Sequence, residues 1–313
     1  MRFRALSFAC SVVALVSLAG CSASGGNGPY RGPSRSSSAG SAGSGTSIGD
    51  QPASLGGSTS GPELTPVGDD PMKNEEDCDA TLELTVRDFT PKHPDFEAYN
   101  GQNEVGCGIV ASTLGPDSKP VFFSGIGAQK RITMNDSSGG LTFTSCVAWD
   151  WMPNSVVTSK DSFDQWYRDV DGVNQAITVP ITLVDMGGEN LTYDSKAFFP
   201  IDGMGFGNTP NQSHNFHFTT EGHVKFGYVK GQKFTFRGDD DLWIFVNGKL
   251  ALDLGGLHMP ISATIDFDAQ AAALGISPGG TYQMDIFHAE RHTSESNFRV
   301  ETNIRCFTPV VVK

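Results

Sequence analysis

Three adjacent carboxylates, Asp239, Asp240 and Asp241, stand directly before the apolar run Leu242 to Val246. Neighbouring like charges repel, so such a triplet is either a solvated turn or a group neutralised by a cation. A hard cation with oxygen ligands suits it best. Calcium accepts carboxylate, amide and backbone oxygens together, and two successive Asp side chains can reach one ion if the peptide between them bends both to one side, as a cis bond does. Two neighbouring residues of the triplet are therefore candidate metal ligands, and calcium is the expected cofactor.

The element that must position them is a hairpin. Phe234 and Phe236 alternate with polar neighbours, Leu242 to Val246 is a β-rich run, and Asn247-Gly248 is a strong two-residue turn signal. With Val246 facing Lys249, Trp243, Phe245, Leu250 and Leu252 are expected on one face, the better core candidate. Leu242, Ile244, Lys249, Ala251 and Asp253 are expected on the other.

Four motifs carry a resemblance: FFPIDGMGFGN (Phe198 to Asn208), HNFHF (His214 to Phe218), GDDDLWIFVNGKLALDLGGLH (Gly238 to His258) and DIFHAERHTSESNFRVET (Asp285 to Thr302). With VRDF, HPDFE and SFDQWYRDV upstream, they closely resemble the fibro-slime family of secreted bacterial proteins. The central hairpin is similar to the protective-antigen-like β-barrel that flocculins and many glycosidases use to hold sugars. That resemblance implies carbohydrate binding in adhesion or matrix, with Asp239 and Asp240 on the calcium pair and Asn297 completing the shell. Asp241 stands where the lectin pattern usually has Gly. Asp241, Trp243, His258, Glu290 and Arg291 join the candidates for the ligand site. The alternative for the last group is structural: His258 and His288 as buried hydrogen-bonding partners, Glu290 and Arg291 as an ion pair.

The N-terminus reads as a lipoprotein signal peptide over residues 1–20. Arg2 and Arg4 precede an apolar core, and Leu18-Ala19-Gly20-Cys21 forms a lipobox. Cys21 is the expected lipidation site and mature N-terminus, with Ser22 favouring the outer membrane or cell surface. Residues 21–77 are rich in Gly, Ser and Pro and too poor in apolar residues to bury a core. Such a tether reaches roughly 40 Å. Residues 78–313 are expected to form one β-domain.

Removal of Arg2 and Arg4 leaves 20 basic residues against 35 acidic, a net charge of about −15, which disfavours nucleic acid and acidic lipid as partners. The partners expected are a carbohydrate or polysaccharide, and the membrane through the N-terminal lipid. Cys78, Cys107, Cys146 and Cys306 allow three pairings in an exported chain. Cys78 with Cys306 and Cys107 with Cys146 is the favoured one.

Strands are expected over Thr81 to Phe89, Ile177 to Val184 (an edge, because of Pro180), His214 to Thr220, Val224 to Tyr228, Tyr282 to Ala289 and Phe298 to Ile304. Helix is expected only over Ser162 to Val170, with Ser162 and Gln165 as a capping box, and briefly over Asp268 to Leu274. The fold class is thus all-β, an antiparallel sandwich or barrel of the protective-antigen-like jelly-roll type with few short helices. His288 and His292 are not on one helical face, which disfavours zinc. Asp202, Asp253, Asp285 and Glu290 include no evident glycosidase pair, so no enzyme is expected. The runner-up to carbohydrate binding is a structural envelope or matrix protein in which calcium only stabilises loops.

Overall fold

The computed structural model describes residues 80–97, 106–150 and 154–312. The expected signal peptide, Cys21, the tether and Cys78 lie outside the described residues. In chain order the strands are β1 (Thr81–Phe89), β2 (Gln129–Asn135), β3 (Leu141–Ala148), β4 (Asn174–Thr182), β5 (Val184–Asp185), β6 (Leu191–Ser195) and β7 (Phe218–Gly227). They continue with β8 (Lys233–Gly238), β9 (Asp241–Val246), β10 (Lys249–Leu254), β11 (Ile261–Asp266), β12 (Thr281–Glu290), β13 (Phe298–Thr302) and β14 (Thr308–Pro309). Two helices, α1 (Lys160–Phe163) and α2 (Phe267–Leu274), complete the described elements.

The strands form two sheets, one ordered β10-β9-β12-β7-β1-β4 with β14 beside β7, the other ordered β2-β3-β11-β8-β13-β6-β5. The fold is an all-β sandwich, and neither sheet closes into a barrel. Alternation explains the second sheet: Phe234, Phe236, Phe298 and Val300 turn inward and are buried, while Thr235, Arg237, Arg299 and Glu301 turn outward. Around β9 and the second half of β12 the first sheet is covered on both faces, and all six residues of β9 are buried. Leu242, Ile244 and Val246 enter the core between the sheets. Trp243 and Phe245 enter a second core, where Phe96, Ile109, Val156, Phe163 and Trp166 from the long β1-to-β4 connection cover the sheet.

That double burial corrects the expected faces of the hairpin. Val246 does face Lys249, and Asn247 and Gly248 both have positive φ (53° and 70°), as an I′ turn requires. A bulge between Leu250 and Leu252 then shifts the register, so that Asp253 lies opposite Trp243 while Leu252 and Leu254 join Leu242 and Ile244 in the main core. Trp243 donates from Nε1 to Asp253 at 2.9 Å.

Other boundaries move for local reasons. The stretch 218–227 is one strand through Glu221-Gly222, because neighbouring β1 brings Leu84 opposite Gly222, where a Cβ would lie 2.9 Å from the leucine side chain. Helix α1 starts earlier, with Ser159 as N-cap in a capping box with Ser162, and ends at Phe163. Phe163, Trp166 and Tyr167 are nonetheless buried together. Helix α2 is capped by Asp266 rather than Asp268, and Gly275 ends it in the left-handed region at φ 71°. β4 stands at the edge of its sheet. Cys107 and Cys146 form a disulfide, and Cys306 is disulfide-bonded as well.

Candidate functional site

The acidic triplet sits where β8 hands over to β9. Gly238 ends β8 opposite Phe298, and a Cβ there would lie 2.4 Å from the Asn297 carbonyl oxygen. Only glycine lets the two chains approach so closely. That approach brings Asn297 onto Asp239: its backbone N–H donates to one carboxyl oxygen at 2.6 Å, its Nδ2 to the other at 2.9 Å. The Asp239–Asp240 peptide is cis. His288 Nε2 lies 2.8 Å from the Asp239 carbonyl, inside a box of Phe198, Phe218, Phe236 and Phe298.

Asp240 accepts only two long backbone bonds, from His258 N at 3.3 Å and Arg291 N at 3.2 Å. Asp241 is better served. Arg291 Nε lies 2.8 Å from one of its oxygens, and the Gly256 N–H donates to the other. Arg291 is fixed in turn by the carbonyls of Asp95 and Val156 at 3.0 and 2.8 Å and by the Trp166 ring at 4.9 Å. Trp166 and Thr158 hold the Asp95 carboxylate at 3.0 and 2.7 Å. This second layer was not legible in the sequence, because HPDFE carries no signal that Asp95 belongs beside a residue almost two hundred positions later.

The candidates thus separate by depth. Asp239, Asp240 and Asn297 remain 5%, 8% and 9% exposed, at the rim, whereas Asp241 and Arg291 are at 0% and Glu290 at 1%. Trp243 is also at 0%, so it is a core residue and not a platform for a ligand. The expected Glu290–Arg291 pair is corrected: Arg291 pairs with Asp241, since successive strand residues point to opposite faces. Glu290 Oε2 has no hydrogen-bond partner. The His258 ring lies between the carbonyls of Leu254 and Met259 at 2.8 and 2.9 Å, which removes it from ligand contact.

Charge is unevenly distributed here. Four carboxyl groups gather around one guanidinium. Burial, with Asp241 and Asp239 adding to it against the pull of Arg291, raises the Asp240 carboxyl to about 8. Burial raises Asp239 despite the Asn297 hydrogen bonds, and raises Glu290 well above the usual range, with Asp240 and Asp239 adding to it. Burial lowers His258 to about 3 and His288 to about 4. Among the described residues no three His, Cys, Asp or Glu side chains already meet as a metal-holding group. In kind, the rim donors are hard oxygens close to a buried carboxyl oxygen that has no hydrogen-bond partner among the described residues, which fits calcium. The engaged histidines do not fit zinc.

A second polar cluster, on β1, β7 and β12, is balanced. Glu221 meets Lys119 Nζ at 2.5 Å, Arg87 at 3.1 Å and His223 Nε2 at 3.5 Å, and His223 Nδ1 lies 2.7 Å from Asp285.

Fold and site together define a two-sheet β-sandwich with an under-neutralised acidic cluster beside its central hairpin. No family model matches the chain. It is similar to Protein psiD of Dictyostelium discoideum, 37% identical over 230 residues, covering 71% of this chain and 41% of psiD. Protein psiC and Protein psiR of the same organism are each 34% identical, covering 72% and 74% of this chain but 42% and 22% of their own lengths. The chain therefore spans about two fifths or less of these relatives. They are eukaryotic psi proteins, which corrects the expected membership in the bacterial fibro-slime family. A solved structure titled "Structural basis for the promiscuous specificity of the carbohydrate-binding modules from the beta-sandwich super family" overlaps 66% of this chain and 99% of its own at 11% identity. Its TM-score of 0.17 carries no argument.

Proposed function

We propose that the chain is an exported, non-enzymatic protein, lipid-anchored through Cys21 at the outer membrane or cell surface, whose sandwich binds carbohydrate in adhesion or extracellular matrix. Calcium held by Asp239, Asp240 and Asn297 bridges protein and sugar. The observation that supports this reading is the crowding of carboxyl groups: four of them gather about Arg291, and the hard-oxygen residues Asp239, Asp240 and Asn297 are the most exposed of the set. Bound calcium supplies a positive centre on which vicinal sugar hydroxyls can replace water. The chain's own residues prepare that place. Asn297 orients Asp239, the backbone of His258 and Arg291 holds Asp240, and Arg291 neutralises Asp241 so that it does not compete.

The test is thermal unfolding of the full chain with calcium and with chelator, beside a glycan screen. A calcium-linked rise in midpoint and calcium-dependent glycan retention, both lost in Asp240→Ala, support the reading. Glycan retention unchanged in that variant removes the mechanism. One observation favours a purely structural role for calcium instead: both Asp239 oxygens already tie down the loop before β13 through Asn297. A calcium-linked rise with no glycan retained selects that reading.

A further inference from the structure

We propose that Glu290 is a further ligand of the same cation, approaching it from inside the sandwich. The inference rests on the calcium reading above and extends it to a residue that reading leaves out. Ala289 pairs with Asp241 across β12 and β9, and the Asp240 N–H donates to the Ala289 carbonyl at 3.2 Å. The Arg291 N–H donates to the Asp240 carboxyl at 3.2 Å, so that carboxyl lies beside the backbone of the residue that follows Glu290. The charges that act most strongly on the Glu290 carboxyl are those of Asp240 and Asp239.

Glu290 is 1% exposed, yet its Oε2 has no hydrogen-bond partner. Such an atom is uncommon in a folded interior, because an unmet buried acceptor keeps the full cost of its lost water. The nearest guanidinium does not meet that need. Arg291, one residue on, projects to the opposite face and is committed to Asp241. A divalent ion at Asp240 would meet it, with Asp239, Asp240, Glu290 and the Asn297 amide as its oxygen donors and the carboxyl protons released on binding. Since these side chains do not yet meet as a metal-holding group, Glu290 completes the shell by turning its carboxyl toward Asp240 about its own side-chain torsions.

The experiment compares the full-length wild type with Glu290→Gln, which keeps volume and hydrogen-bonding capacity but removes the charge. Thermal midpoints are read in chelator and across a calcium titration, with far-UV circular dichroism to confirm folding. The expected result is a chelator midpoint no lower than wild type, because Gln keeps the volume and hydrogen-bonding capacity of the buried carboxyl, together with at least a tenfold loss of calcium affinity. A Glu290→Gln chain that keeps the wild-type calcium rise overturns the inference while leaving calcium at Asp239 and Asp240 intact. A chelator midpoint well below wild type also overturns it, by showing Glu290 to be a structural group. No calcium rise in the wild type removes the calcium reading itself and this extension with it.

Discussion

Glu221 and Asp240 are both buried carboxyls at the first sheet, and burial alone pushes each upward. In Glu221 the nearby His223 ring, the charge of Arg87 and the charge and hydrogen bond of Lys119 overcome that push and bring the group down to about 2. In Asp240 the single guanidinium is outweighed by burial and by its acidic neighbours, and the group rises to about 8. One cluster is complete within the chain. The other holds, among the described residues, carboxyl groups that burial and their mutual repulsion raise, and that difference separates a structural network from a candidate binding site more clearly than burial does.

The strongest way to break the contrast is to remove the guanidinium that pairs with Asp241. Arg291→Met is expected to cost about 3 to 5 kcal/mol in urea unfolding at neutral pH, because it strands Asp241 in the interior. A loss below about 1 kcal/mol would mean the guanidinium is not what makes Asp241 tolerable.

Glu221→Gln tests the balanced side. A carboxyl held at about 2 in the fold, against 4.5 when unfolded, contributes stability that is present above pH 4.5 and lost as pH falls through about 2. The variant is expected to lose on the order of 3 kcal/mol at neutral pH, with the two stability curves converging on acidification. Parallel curves would show that Glu221 is not the group responsible.

Calcium at a hundredfold excess over its dissociation constant is expected to stabilise the wild type by about 2.7 kcal/mol. Asp240→Ala should remove that gain, while Glu221→Gln should keep it, and calorimetric midpoints decide. The smallest effect belongs to the rim of the balanced cluster. Asp169 pairs with Arg87 at 2.8 Å but its side chain is 73% exposed, so Asp169→Asn should change unfolding free energy by less than about 1 kcal/mol.

Much of the frame was legible in the residues. Thr81 to Phe89 alternates and is β1, Asn247-Gly248 sets the hairpin turn, and Pro180 lies on an edge strand. The faces of the hairpin were not legible, since a bulge at Ala251 inverts the remainder of β10 and nothing in Leu250-Ala251-Leu252 announces it. Nor was the second core. A strand buried on both faces reads as a plain apolar run, which does not say what covers the other side. For the acidic cluster, residue types revealed the carboxylates but not their depths. Glu290 beside Arg291 reads as an ion pair until strand alternation sends the two to opposite faces.

The long connection between β1 and β4 sets the order in which the molecule can assemble. Thr81 pairs with Thr182, 101 residues away, and Leu84 with Gly222 farther still. The β9–β10 hairpin, joined by two residues, closes in about 1 to 10 μs, whereas pairings across a hundred residues must first meet the entropy of closing so large a loop. Among the described strands β1 is therefore one of the last to find its neighbours, and its apolar side, Leu82, Leu84 and Val86, stays open until β7 has been made, a state prone to aggregation.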